Sequence, residues 1–186
     1  LSANSVALLA QSIGAGGGMA LLSQGIGADV QFGARNGAQG DGAAVSMDVQ
    51  GSVITTGDNS LGVVAQSIGG GGGLLMQSAD TAAIGLSADN QGDAGAVSVQ
   101  VQVDVLGLGA RSVGVLAQSI AGGGGWVAGV GSAAAGGQGS AGAVSVAVSG
   151  DVLQTGTDAV GVQAASLGHD GRGNIDVALA GAVRGG

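Results

Sequence analysis

Apolar and polar positions alternate strictly in four short stretches of the chain. Val45, Met47 and Val49 alternate with Ser46, Asp48 and Gln50; Val97, Val99 and Val101 with Ser98, Gln100 and Gln102; Val144, Val146 and Val148 with Ser145, Ala147 and Ser149; and Ile175, Val177 and Leu179 repeat the apolar set. A period of two sends successive side chains to opposite faces, so each stretch predicts a half-buried β-strand. A second apolar point follows at Val53, Val105, Val152 and Val183. A third run passes through Leu61, Val63 and Ala65, with counterparts Val113, Val115 and Ala117, and Val160, Val162 and Ala164. Between the second and third elements, TGDNS at 56–60 and TGTDA at 155–159 predict a turn in which glycine supplies a positive φ and Asp or Asn caps its own backbone.

These elements belong to a repeat. Residues 45–68, 97–120 and 144–167 align without a gap, a further copy runs from 175 to 186, and 1–13 supplies the end of an earlier one. The third run leads each time into a small polar pair and glycines: VALLAQSIGAGGG at 6–18, GVVAQSIGGGGG at 62–73, GVLAQSIAGGGG at 114–125 and GVQAASLGHDGRG at 161–173. Three strands and three bends make a coil that cannot bury its inner face alone. Stacking coils at ~4.8 Å turns equivalent residues into parallel ladders and joins the small cores into one. The expected fold is therefore all-β, a parallel β-helix of about four three-strand coils forming a single solenoid over 1–186. Ser12, Ser67, Ser119 and Ser166 should form one column, and Ile13, Ile68, Ile120 and Leu167 another. Gln11, Gln66 and Gln118 should stack their amides until Ala165 ends that ladder.

Glycine-led excursions at 14–44, 69–96, 121–143 and 168–174 separate the copies, and only the last is short enough for a simple turn. The glycine runs are expected to be flexible corners, and the apolar pieces beyond them hairpins or extra strands that place Phe32, Met76 and Trp126 on one side of the solenoid as partner contacts. Trp126 reads equally well as an exposed anchor or as a cap on the core beneath an excursion.

Composition narrows the function. The 186 residues include 43 glycines, no proline and no cysteine, with aromatics at 1%, charged residues at 9% and the AVILMFWYC group at 45%. That apolar content, mostly aliphatic, excludes the disordered class, and glycine without a three-residue period excludes collagen. Without cysteine there is no disulfide, thiolate metal site or cysteine nucleophile. A net charge of -8, with four arginines and no lysine, excludes nucleic acid as an expected partner. The uncharged stretch 6–28 is too rich in glycine, serine and glutamine for a membrane helix. The start at Leu1 carries no signal-peptide pattern, which suggests a piece of a longer chain.

No catalytic set emerges from the candidates. The glycine runs lack the lysine of a phosphate loop and the following helix of a dinucleotide site. His169, in GHDGRG with Asp170 and Arg172 and near Asp176, reads as a polar turn, for there is no GxSxG elbow. GRGNIDV echoes a calcium-binding glycine-aspartate nonapeptide once, where such a site needs tandem copies. Asp104 and Asp151 fall at equivalent positions on adjacent coils and could serve as a glycosidase pair, although Ser52 and Ala182 continue their column. The chain is expected to be non-enzymatic, without cofactor or metal; the alternative is a β-helix carbohydrate-active enzyme or glycan-binding module.

The phrases GVVAQSIGGGGG and GVLAQSIAGGGG, each preceded by GAxVSxxV and a turn, resemble glycine-rich repeats in passenger regions of bacterial autotransporters, and the resemblance covers nearly the whole chain. It implies a right-handed β-helix, secreted by the type V route through an outer-membrane barrel lying elsewhere in the chain. It further implies display on the surface of a Gram-negative cell as an adhesin or stalk, with a host glycan, a host protein or a sister-cell passenger as partner. It brings no catalytic motif to these positions.

Overall fold

A computed structural model describes residues 2–22, 30–34, 37–77, 82–84, 87–128, 131–133 and 137–186. Its strands, in chain order, are β1 Val6–Ile13, β2 Gly17–Leu22, β3 Val30–Phe32, β4 Val45–Val49, β5 Val53–Thr55, β6 Leu61–Ile68, β7 Gly72–Gln77, β8 Ala82–Ile84 and β9 Val97–Val101. They continue as β10 Val105–Gly107, β11 Val113–Ile120, β12 Gly124–Val127, β13 Gly131–Ala133, β14 Val144–Val148, β15 Val152–Gln154, β16 Val160–Leu167, β17 Ile175–Leu179 and β18 Val183–Arg184. The described residues contain no helix, and no described helix is long and apolar enough to cross a membrane.

Parallel strands stack into sheets in the order the repeat dictates. The three sides of the coil are β4-β9-β14-β17, β5-β10-β15-β18 and β1-β6-β11-β16. Their registers pair Val45 with Val97, Val97 with Val144, and Val144 with Ile175. The serine and isoleucine columns form as the sequence predicts, Ser12 on Ser67 on Ser119 on Ser166 and Ile13 on Ile68 on Ile120 on Leu167. The glutamine ladder forms too: Gln11 Nε2 donates to Gln66 Oε1 at 2.6 Å and Gln66 Nε2 to Gln118 Oε1 at 2.7 Å, and Gln118 stacks on Ala165.

Alternation explains the main core. Val45 and Val49, Val97, Val99 and Val101, and Val144, Val146 and Val148 turn inward to meet Val53, Val105 and Val152 from the second side and Val63, Ala65, Val115 and Ala117 from the third. Each buried valine contributes roughly 1.5–3 kcal/mol by its removal from water. The core also holds one long polar group: Gln154 stacks on Gly107, whose missing side chain leaves the room, and its Oε1 accepts from Ser112 Oγ at 2.9 Å.

The excursions depart from expectation. Instead of decorating an edge, β2, β7 and β12 stack in parallel as a fourth sheet that lies over the outer face of the third side. Leu61, Val64, Val113 and Leu116 on β6 and β11 pack with Leu74, Met76, Trp126 and Ala128 in a second core. All eight residues of β6 and of β11 are consequently buried. β13 folds back antiparallel on β12 and occupies that sheet's far edge. β3 and β8 pair separately.

The glycine runs are corners only in their first residues, 14–16, 69–71 and 121–123, and the glycines after them are strand. Gly17, Gly18, Gly72, Gly73, Gly124 and Gly125 lie inside strands with φ between 134 and 147°, a region barred to L side chains. A Cβ on Gly72 would overlap the Gly124 carbonyl of the next coil, and one on Gly73 the Gly18 carbonyl of the previous coil. The backbones are thus close enough for Cα–H to face carbonyl oxygen, a recurring weak contact between strands. Glycine here is the ladder itself.

The turn before the third side also differs from the sequence reading. Positive φ falls on Asn4, Asn59, Arg111 and Asp158, each two residues before the strand, and not on Gly57. Gly57, Gly109 and Gly156 are needed for another reason: a Cβ on any of them would strike the backbone of the preceding coil. Asp58 caps the amide of Ala110 one coil away, Oδ1 accepting at 2.8 Å, and not its own backbone.

Candidate functional site

Five aspartates share one use. Asp41 Oδ1 accepts from the Asp93 amide at 2.9 Å, Asp93 Oδ1 from the Ser140 amide at 2.7 Å, Asp58 Oδ1 from Ala110, Asp104 Oδ1 from the Asp151 amide at 2.9 Å, and Asp151 Oδ1 from the Ala182 amide at 2.8 Å. Corner backbone turned away from the sheets leaves amides without a ladder partner, and a short carboxylate on the neighbouring coil satisfies them. The pair suggested by the sequence, Asp104 and Asp151, belongs to this system, with one oxygen of each engaged by a corner amide.

The corner where the excursions rejoin the coil is concave. Gln39 pairs with Gln91 and Gln91 with Gln138 through parallel bridges, and all three are exposed. With Asp41, Asp93, Asp170 and the glycines between, they line a groove of about 330 Å³. The groove presents carboxylates and amides at a one-coil repeat, and no aromatic ring is among its lining residues. Among the described residues no three His or Asp side chains gather as a metal site.

His169 and Asp170 stand at the far end of this groove. His169 Nδ1 and Asp170 Oδ1 lie 2.9 Å apart, with the side chains 67% and 48% exposed, and Asp170 Oδ2 accepts from the Gly139 amide at 2.8 Å. The hydrogen bond from His169, helped by that amide and by the imidazole charge, holds the Asp170 carboxyl below its ordinary range. The geometry is a capped turn with its imidazole in solvent. Asp176 sits instead on β17, paired with Ser145.

The aromatic and methionine candidates occupy different places. Met76 is fully buried and Trp126 is only 6% exposed, both inside the second core, so neither offers a surface to a partner. Of the two readings of Trp126, the structure takes the one in which it covers a core beneath the excursion. The physical reason is that the third side carries apolar residues on both faces, and the excursion covers the outer one. Trp126 Nε1 finds no hydrogen-bond partner among the described residues. Phe32 pairs with Ile84 through the backbone of β3 and β8, and its side chain lies outside the described set.

Sequence reasoning missed the left-handed column Asn4, Asn59, Arg111 and Asp158. Its signal is the fixed offset of two residues before each third strand, with Asn or Asp in three of four copies. The column is tied by side chains: Asn59 Nδ2 donates to Asn4 Oδ1 at 3.2 Å and Arg111 Nε to Asn59 Oδ1 at 2.9 Å.

No protein-family model matches this sequence, and no curated protein or solved structure matches it significantly.

Proposed function

We propose that the chain is a non-enzymatic structural or adhesive segment of an autotransporter passenger, a right-handed parallel β-helix displayed on the surface of a Gram-negative cell. The observation that carries this reading is the stacking of the three sides from coil to coil, with valine inside and a second apolar layer outside the middle coils. Such a body is stiffened by near-neighbour contacts along its whole length and needs no disulfide, which suits a stalk assembled after export. The engagement of Asp104 and Asp151 with corner amides favours a scaffold over the carbohydrate-active alternative. The ligand-facing surface on this reading is the glutamine and aspartate groove, whose hydrogen-bonding groups suit a hydroxylated glycan or a polar protein surface.

Protease shaving of intact cells of the source organism, followed by mass spectrometry, tests the display. Release of peptides from this chain without lysis is the expected outcome; peptides that appear only after lysis would remove the reading. A panel of acidic and neutral polysaccharides incubated with the protein should show no turnover, and turnover abolished by Asp104→Ala would revive the enzyme.

A further inference from the structure

The stack carries two glutamine columns, and they behave differently. In the inner one, Gln11, Gln66 and Gln118, each amide is bonded to the next, and Gln66 and Gln118 are fully buried. The outer one, Gln39, Gln91 and Gln138, has the same parallel register from coil to coil and is exposed. Its side-chain amides make no hydrogen bond among the described residues, to one another or to any other group. Ser140 bridges Gly171, and two residues back the same register sets His169 after Gln138. The result is a column of exposed hydrogen-bonding side chains, one per coil, running lengthwise on the flank of the stack and not on a terminal coil face.

Asp41 and Asp93 follow Gln39 and Gln91 at an offset of two, which puts them on the same face. Each has its Oδ1 fixed by an amide of the following coil, at 2.9 and 2.7 Å, while its Oδ2 makes no hydrogen bond among the described residues. The free oxygen is an acceptor in a set position, beside an amide that both donates and accepts. The rest of the lining is glycine and Asp170, so no cation and no apolar side chain faces the groove.

These groups select among ligands. Carboxylates without a cation to offset them repel an anionic chain. A peptide strand laid along the axis repeats its like-facing residues every ~6.8 Å, out of step with coils at ~4.8 Å. A pyranose ring with its linking oxygen spans close to one coil, and its hydroxyls can donate to a carboxylate and exchange hydrogen bonds with an amide. We infer that the groove holds a linear neutral polysaccharide lengthwise, one sugar unit per coil, with the amides of Gln39, Gln91 and Gln138 and the free oxygens of Asp41 and Asp93 on its hydroxyls. The inference rests on the reading of this groove as the ligand-facing surface, and adds the class of glycan and the direction in which it lies. With no aromatic ring to stack on, each unit adds a small factor in affinity, and strength comes from length.

The test is a titration of isotope-labelled protein with manno-, malto- and cello-oligosaccharides of increasing length, followed by NMR on the side-chain amides. The signals of Gln39, Gln91 and Gln138 should shift with at least one series, and those of the buried Gln66 and Gln118 should stay. Affinity should rise by roughly threefold to tenfold per added unit, and level off once the chain spans the column from Gln39 to His169. Gln91→Ala, at an exposed position that leaves the fold intact, should weaken binding by a similar factor. Outer glutamine signals that stay fixed with all three series overturn the inference. So does full affinity in Gln91→Ala, or a response to oligolysine or polygalacturonate in place of the neutral chains. The display reading is judged separately by protease shaving: a displayed chain that binds none of the sugars loses the groove alone, and a chain that binds them but is released only by lysis loses the display alone.

Discussion

Ser145 and Val146 are adjacent in the chain and opposite in fate: the first is exposed and the second 1% exposed in the core. Val146→Asp puts an unpaired carboxylate among valines from all three sides and should cost several kcal/mol, while Ser145→Asp, which adds only an exposed like-charge contact with Asp176 on the next coil, should cost less than about 1 kcal/mol. Urea denaturation of the two variants measures the difference, and equal midpoints would mean that the inward face has been misassigned. Asp170 gives a pH-dependent case. Its carboxyl is held below its ordinary range by His169, so its contribution is present above the ordinary carboxylate range and is lost as pH falls through the depressed value. Its resonance in an NMR titration should move at lower pH than that of a free aspartate, and His169→Ala should return it towards the ordinary range.

At the scale of the element, the glycine strands separate two reasons for glycine. Gly72 needs both its positive φ and its empty Cβ position, whereas Gly51 has neither a positive φ nor an atom near its Cβ. Gly72→Ala should therefore destabilise by more than about 2 kcal/mol, and Gly51→Ala should be neutral or slightly stabilising, as a thermal melt would show. The outer sheet has its own reporter in Trp126, which packs with Leu74 beside it. Leu74→Ala should open a cavity next to the indole, shift its emission to longer wavelength and raise its quenching by acrylamide, with the strand signal in circular dichroism retained. A coordinated loss of both signals would instead mean that the outer sheet and the valine core unfold as one unit.

Over the whole molecule, what could be read from the sequence followed the regularity of the pattern. Alternation at Val45, Val97, Val144 and Ile175 carried strand, face and register together, because a one-residue slip would expose every valine. The outer layer escaped because its pieces, such as LLMQ and GWV, are too short to carry a period. A signal was nevertheless present in the third run, where Val64 and Leu116 occupy outward positions between inward residues. A strand apolar on both faces is a strand covered on both faces. Gln163 replaces them in the copy whose excursion is short, which is where β12 and the back-folded β13 end the cover. Asp104 and Asp151 were legible as a column but not in their role, since a carboxylate offered to a ligand and one offered to a backbone amide look alike in sequence.

Those carboxylates also give the stack a direction. In all five interactions, at Asp41, Asp58, Asp93, Asp104 and Asp151, the acceptor sits on the earlier coil and the amide on the later one. Each finished turn thus holds out a fixed negative oxygen where the next turn must bring a bare N–H. At these corners the stack is polar along its axis, each turn holding out an acceptor to the turn that follows it, while Asp170, which accepts from the Gly139 amide of the turn before, runs the other way.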